Sequence, residues 1–390
     1  MASTVLKAAF LIGSGFATAL FYTRIRKVQE NNRCTTSNRT TAEAETAIAD
    51  LTRNERRFLQ FASVEYGWQI YMTPQDFLQS VLERYPLPCL RRRILTDNEV
   101  SQFQAAVSPV SQSNVNFFRN ASDKGIISFM DYLFLISVLT RPESGFRLAF
   151  NMFDIDGNHR INRKEFLVAR KLLGNSIRQR KVNVDARKTL TQLEYSTAMT
   201  TLQVHFFGIE GSGSLSYEEF HHFVKNLQTE ILQIEFGRYS QNGVSITDEN
   251  FARILLRYTH LEPHHYETII GRLSSLENHH EVSYEEFEQF CKVLRNMKDF
   301  VLAMRVFHSL NGSISRDEFS RAVTICSDSV MKIEHLIDIV FAMFDENGDG
   351  RMSYDKFLLV IKNHFQFLND RRLVGWKAFK RCCRREIRRT

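Results

Sequence analysis

The chain has few residues that interrupt helices and no closely paired cysteines. Only 6 of its 390 residues are proline, and its 6 cysteines form no CxxC pair. The missing CxxC pairs argue against zinc ribbons and thioredoxin-type redox sites. The sequence also contains no HExxH motif, phosphate-binding loop or nucleophile elbow. We therefore expect a protein that is not an enzyme.

The positive charge is concentrated at one end of the chain. The formal net charge is +7, but residues 371–390 alone contain nine Lys or Arg residues and one acid. The rest of the chain is therefore close to neutral, which argues against a nucleic-acid-binding protein and indicates a basic tail. With 43% hydrophobic and 24% charged residues, the chain has the composition of a folded globular protein.

Residues 1–50 are predicted to be a targeting segment or membrane anchor followed by a polar linker. An apolar run covers residues 8–22, with Lys7 before it and Arg24, Arg26 and Lys27 after it. The run is shorter than the ~20 residues that span a bilayer comfortably. Three interpretations are open: a mitochondrial targeting segment, a secretory signal without an obvious cleavage site, and a short membrane anchor.

Residues 369–390 are predicted to form a basic amphipathic helix. Leu373, Trp376 and Phe379 recur at helical spacing, and basic residues fill most of the other positions. Such a helix fits an anionic membrane surface or an acidic partner, and a solvated terminal helix without a ligand is the alternative. The residues expected at such a contact are Trp376, Lys377, Lys380, Arg381, Arg384 and Arg385.

A hexapeptide occurs eight times in the body of the chain. Each copy begins with an aliphatic residue or Met, continues with a small polar residue, and ends with Phe or Tyr. The copies begin at Met72, Ile127, Ile161, Leu215, Ile246, Val282, Ile314 and Met352. Several copies are 31 to 38 residues apart, which is the period of a helix–loop–helix unit.

The hexapeptide has the pattern of the second half of an EF-hand loop. Its aliphatic residue occupies loop position 8, which pairs with a neighbouring hand through a short β-bridge. The small polar residue occupies position 9 and caps the exiting helix, and the fifth residue occupies position 12, the bidentate carboxylate of a calcium loop. The sequence therefore predicts a mainly α-helical fold of paired EF-hand units in two or more lobes. We expect an N-terminal lobe over residues 51–230 and a C-terminal lobe over residues 231–368.

One loop, residues 154–165, has an oxygen ligand at every position that calcium requires. The predicted ligands are Asp154, Asp156, Asn158, the backbone carbonyl of Arg160, Asn162 and Glu165. His159 occupies position 6, where Gly normally adopts a positive φ. Histidine enters that region more readily than most residues, so we expect this loop to bind Ca²⁺.

A second loop, residues 345–356, has suitable calcium ligands at its first positions but not at its last. Its candidate ligands are Asp345, Asn347, Asp349 and the backbone carbonyl of Arg351, but position 12 is Lys356, which cannot bind a cation. We expect weak binding at most. The other loops lack several ligands and are predicted to be structural hands that need no metal.

The order and spacing of these features resemble the mitochondrial calcium uptake family, the EF-hand gatekeepers of the mitochondrial calcium uniporter. The residues that carry the resemblance are 71–77, 125–135, 146–166 and 205–208, and the similarity extends over roughly residues 55–385. His159 at position 6 places the chain closer to the second and third branches of that family than to the first. Lys356 departs from the family pattern and weakens the expectation of two cooperating sites.

This resemblance implies a calcium sensor that regulates the uniporter channel complex from the intermembrane space, in association with the inner membrane. It also implies a dimer with an identical or paralogous subunit, linked by a disulfide at Cys382. The basic tail would then contact the anionic membrane surface or the uniporter. The alternative function is that of an EF-hand calcium-binding protein of the secretory lumen.

Overall fold

The computed structural model describes residues 53–360, apart from 68, 84, 87–91, 111–115, 170–197, 258–262, 275–280, 312, 327–333, 346–347 and 356. The predicted N-terminal segment, the basic tail with Trp376, and Cys382 lie outside these residues, as do Asn347 and Lys356. Across the described part of the chain, no helix combines the length and apolar character that a membrane crossing requires.

The first pair of hands carries a small sheet. Its elements are α1 (Arg53–Phe61), β1 (Val64–Tyr66), β2 (Gln69–Tyr71), α2 (Pro74–Leu82), β3 (Arg93–Ile94), α3 (Asp97–Ala105), α4 (Phe117–Ala121) and α5 (Phe129–Leu139). Strand β1 pairs antiparallel with β2 and parallel with β3, so the sheet order is β2-β1-β3. The hexapeptide pattern does not predict this sheet.

The second pair of hands contains the loop with the complete ligand set. A short 3₁₀ turn (Glu143–Gly145) leads into α6 (Phe146–Phe153), which is followed by β4 (Arg160–Asn162) and a helical stretch over residues 163–169. After the gap come α7 (Thr201–Phe207), β5 (Ser214–Ser216) and the long helix α8 (Tyr217–Tyr239).

The third and fourth pairs follow the same plan. Their elements are β6 (Ser245–Ile246), α9 (Asp248–Leu256), α10 (Pro263–Ser274), β7 (Val282–Ser283), α11 (Tyr284–Arg295), α12 (Met297–Asn311), β8 (Ile314–Ser315), α13 (Arg316–Cys326), α14 (Glu334–Phe344) and β9 (Arg351–Met352). A final helical stretch covers residues 354–360, apart from 356.

The eight hexapeptides pair in consecutive order. Their position-8 residues face each other in the pairs Met72–Ile127, Ile161–Leu215, Ile246–Val282 and Ile314–Met352. Each pairing is antiparallel and only one to three residues long. The predicted mainly helical fold of paired EF-hands with short β-bridges is therefore confirmed.

Two large hydrophobic cores meet within α8. Within α8, core residues up to Ile231 belong to the first cluster, and those from Leu232 onward belong to the second. Phenylalanines dominate near the complete loop, where Phe134 contacts Phe153 and Phe166 edge to face. Burial of one such side chain stabilises the fold by about 1.5–3 kcal/mol. The expected lobe boundary at residues 230/231 stays a prediction.

The buried side chain of Gln228 in α8 also joins the two halves. The Gln228 amide donates to the carbonyl oxygen of Leu139, the last residue of α5, at 3.0 Å and to that of Arg141, two residues further on, at 2.8 Å. The same amide accepts a hydrogen bond from Arg295 of α11 at 3.1 Å. Because the last carbonyls of a helix have no partner within that helix, Gln228 satisfies groups that would otherwise be costly to bury.

Candidate calcium site

The complete loop folds around the side chain of its first residue. Helix α6 ends at Phe153, and Asp154 leaves the helix with an extended backbone. Its carboxylate accepts hydrogen bonds from the backbone N–H groups of Gly157 at 2.8 Å and His159 at 3.0 Å. Both donors have positive φ, 77° for Gly157 and 62° for His159. The tight turn therefore exists despite the histidine at position 6.

Glu165 closes the loop from the other end. Its Oε1 accepts from the backbone N–H groups of Ile155 at 2.9 Å and Asp156 at 3.1 Å. Its Oε2 accepts from the N–H of Asn162 at 2.9 Å, while Asn162 Oδ1 accepts from the Glu165 N–H at 3.0 Å. Glu165 is buried, and both of its oxygens lie against the loop.

The three carboxylates of this loop come close enough to share one cation. Carboxylate oxygens of Asp154, Asp156 and Glu165 lie within 4.8 Å of one another, and no other such group of His, Cys, Asp or Glu occurs among the described residues. Calcium binds oxygens at 2.3–2.6 Å, so two of its ligands lie at most about 5 Å apart. The geometry therefore fits one Ca²⁺ ion.

The neutral ligands complete the set on the exposed side. Asn158 donates from its side chain to Asp156 Oδ2 at 2.9 Å, and its own Oδ1 accepts from the N–H of Arg160 at 2.8 Å. Arg160 begins β4, which pairs with β5 of the next hand. His159 points outward with its side chain 86% exposed. The six predicted ligand residues thus lie along one loop, as the sequence predicts, and their role as ligands stays a prediction.

The second candidate loop makes the same turn. Asp345 accepts from the backbone N–H groups of Gly348 and Gly350, both at 2.8 Å, and Gly350 at position 6 has a φ of 70°. Asp349 accepts from the N–H of Arg351 at 2.9 Å. Asp345 and Asp349 are not part of any three-carboxylate group in the described part of the chain.

The carboxylates at position 12 of several incomplete hands cap the exiting helix. Asp76, Asp131, Glu219 and Glu286 each accept from the backbone N–H of their own position-9 residue, at 2.8 to 3.1 Å. The position-9 hydroxyl in turn accepts from the position-12 N–H, which completes a capping box. This role was missed from the sequence, although a Ser or Thr followed three residues later by an acid is its known signature.

Four consecutive pairs of helix–loop–helix units, one with three converging carboxylates, define an EF-hand protein. A family profile described as an EF-hand domain pair matches residues 310–362.

The chain is 33% identical to calcium uptake protein 3, mitochondrial, of Homo sapiens over 404 residues, covering 89% of this chain and 76% of that protein. It is 36% identical to calcium uptake protein 2, mitochondrial, of Rattus norvegicus over 344 residues, covering 86% and 78%.

The solved structures show the same relationship. The crystal structure of EFHA2 in its apo state is 37% identical, with a TM-score of 0.70 over 82% of this chain and 99% of that chain. The apo structure of the mitochondrial calcium uniporter protein MICU2 is 32% identical, with a TM-score of 0.66 over 87% and 98%. The chain belongs to the mitochondrial calcium uptake protein family. Identity to calcium uptake protein 1 of Danio rerio is lower, 27% over 335 residues.

Proposed function

We propose that this protein is an EF-hand calcium sensor that regulates mitochondrial calcium uptake. The observation that carries the proposal is the convergence of Asp154, Asp156 and Glu165 within one EF-hand loop. Ca²⁺ as the bound ion is further supported by the EF-hand family match and by the similar structure of EFHA2 in a calcium-binding state, which is 38% identical with a TM-score of 0.66.

The ligands of the proposed site are the side chains of Asp154, Asp156, Asn158, Asn162 and Glu165, with the backbone carbonyl of Arg160. Bound Ca²⁺ supplies the positive charge that these oxygens share. Glu165 Oε1 accepts from the N–H groups of Ile155 and Asp156, and it would turn from them toward a bound ion. Because Glu165 lies in the helical stretch 163–169, such a turn would move that helix relative to α6.

A calcium titration followed by near-ultraviolet circular dichroism tests the site. We expect a change in the wild-type spectrum that is lost in Glu165→Gln, which keeps the size of the side chain but removes its charge. Glu219→Gln is the matched control, because Glu219 is the position-12 residue of the paired hand and caps its helix. An unchanged wild-type spectrum in micromolar calcium, or a normal response from Glu165→Gln, would disprove calcium sensing at this loop.

The proposed partner is the calcium uniporter channel complex, with the protein acting as a gatekeeper from the intermembrane space at the inner membrane. The names of the relatives, mitochondrial calcium uptake proteins 2 and 3, support a mitochondrial role over one in the secretory lumen. Mitochondrial calcium uptake in cells lacking the protein tests this proposal. Gatekeeping requires raised uptake at low external calcium, and unchanged uptake at both low and high calcium would contradict it.

The proposed assembly uses residues outside the described part of the chain. A disulfide at Cys382 would link two identical or paralogous subunits, and Trp376, Lys377, Lys380, Arg381, Arg384 and Arg385 would contact the membrane or the channel. Non-reducing electrophoresis of Cys382→Ser, with Cys383→Ser as its neighbour control, tests the link. A covalent dimer that survives Cys382→Ser would disprove it.

A further inference from the structure

The side chain of Arg160 reaches across to the paired hand. Arg160 occupies position 7 of the proposed calcium loop and lies opposite Ser216 in the β4–β5 pairing. Its Nε donates to Ser214 Oγ at 2.7 Å, and its Nη2 donates to the Ser214 carbonyl oxygen at 3.5 Å. Ser214 is two residues from Ser216, so the contact is a diagonal one on a single face of the two-stranded sheet.

The same contact occurs in the last pair of hands. Arg351, at position 7 of the second acidic loop, lies opposite Ser315. Its Nε donates to Ser313 Oγ at 2.5 Å, and its Nη2 donates to the Ser313 carbonyl oxygen at 3.4 Å. The acidic loop comes first in one pair and second in the other. In both pairs the arginine therefore belongs to the loop that carries the aspartates, whichever of the two loops comes first along the chain.

The remaining two pairs fill position 7 differently. In the third pair, Ser245 donates to a carboxylate oxygen of Glu281, so an acid replaces the arginine. In the first pair, Tyr71 and Ile126 occupy the two positions and are buried in a small apolar cluster. Among the four pairs, the arginine-to-serine contact thus occurs only in the two that contain an acidic loop. That loop has aspartates at positions 1 and 3 in the second pair and at positions 1 and 5 in the fourth.

We propose that the Arg160–Ser214 contact positions the backbone carbonyl of Arg160 for calcium, so that Arg160 and Ser214 are positioning residues of the site. The inference rests on the proposed calcium function. The N–H of Arg160 is already held by Asn158 Oδ1, and the side chain fixes the same residue to the neighbouring strand. A ligand that is ordered before binding loses less conformational freedom when the ion arrives.

Charge and positioning predict opposite effects for Arg160. A cation beside the site repels Ca²⁺, so charge alone predicts that Arg160→Ala binds calcium more tightly. Positioning predicts that the same variant binds more weakly. Ser214→Ala separates the two effects completely, because it removes the acceptor hydroxyl and leaves every charge in place.

The test is calorimetric titration of Ca²⁺ into the full chain, with Asp345→Ala in every variant to silence the second acidic loop. We expect Ser214→Ala to bind about threefold to tenfold more weakly, which corresponds to the cost of ordering one side chain when the ion binds. Arg160→Ala should also bind more weakly, and Arg160→Lys should recover part of the affinity because lysine can still donate to Ser214. Ser245→Ala, which breaks the position-7 contact of the third pair, is the matched control and should bind as the parent does.

A second measurement separates positioning from stability. The melting temperature in excess chelator should be unchanged in Ser214→Ala, because the contact is largely exposed and contributes little to the fold. Parent affinity in Ser214→Ala, or tighter binding in Arg160→Ala, would overturn the inference while leaving the calcium site intact. A parent protein that takes up no calcium would instead refute the proposed function itself.

Discussion

His205 in α7 offers a quantitative test of the packing around the second pair of hands. The ring is buried, 1% exposed, and its Nδ1 lies 2.6 Å from the carbonyl oxygen of Ser108. Phe117 and Phe223 pack against the ring, with centroid distances of 4.2 and 5.7 Å. Nδ1 therefore carries the proton that is donated to Ser108. A second proton on Nε2 would have no acceptor among the described residues.

Burial lowers the pKa of His205 from 6.5 to about 4. Because the folded pKa lies below the unfolded value, the unfolded chain takes up a proton first as the pH falls. The contribution of neutral His205 to the free energy of unfolding is therefore complete well above pH 6.5. It is lost as the pH falls from about 6.5 to about 4. Between pH 7 and pH 5 this linkage removes about 2 kcal/mol from the free energy of unfolding.

Urea unfolding of calcium-free protein at pH 7 and pH 5 measures this loss. Other groups titrate in the same range, so the useful quantity is the difference between wild type and His205→Asn, which keeps a donor for Ser108 and cannot take up the proton. We expect the wild type to lose about 2 kcal/mol more than His205→Asn over this range. His222→Gln, at an exposed position of α8, should behave as wild type. Equal pH dependence in wild type and His205→Asn would refute the reasoning.

Three further substitutions test the loops and helix α8. His159→Gly should remove the strain of φ 62° and stabilise the ion-free protein by about 1 kcal/mol in urea unfolding; a loss of stability would contradict this. Gly213→Ala should lower the melting temperature, because the added Cβ would lie 2.9 Å from the Phe207 carbonyl oxygen; an unchanged melting curve would show that the backbone yields freely. Gln228→Leu should destabilise the protein by about 2–3 kcal/mol in urea unfolding, because it removes the donor to the carbonyls of Leu139 and Arg141 and the acceptor of the Arg295 guanidinium. A loss below about 0.5 kcal/mol, which is typical of a surface substitution, would show that the hydrogen bonds of Gln228 do not stabilise the fold.

The pairing of the hands could be predicted because it depends on a local pattern. Each position-8 residue is apolar, lies within its own hexapeptide and is followed by a helix N-cap, so all three signals occur within six residues. Such short-range patterns specify one EF-hand unit at a time. Consecutive pairing then follows, because neighbouring units along the chain are usually adjacent in space.

The contacts made by α8 could not be predicted in this way. Gln228 meets Leu139 and Arg141, which precede it by almost 90 residues, and Arg295, which follows it by 67. A glutamine in a long helix is typical of an exposed position, and nothing in its local sequence indicates burial. The three-stranded sheet was missed for a related reason: β3 has only two residues, both exposed, and is defined by its parallel partner β1.

The acid at position 12 was interpreted too narrowly from the sequence. Calcium binding and helix capping both place an acid three residues after a small polar residue, because one geometry serves both purposes. Glu165 shows the two roles together, since its Oε2 caps Asn162 while its Oε1 faces the loop. Glu219 retains the capping contact in a hand that has no carboxylate at position 1. The acid at position 12 can therefore persist after a hand stops binding metal, and only converging carboxylates at positions 1 and 3 distinguish a calcium loop from a structural hand.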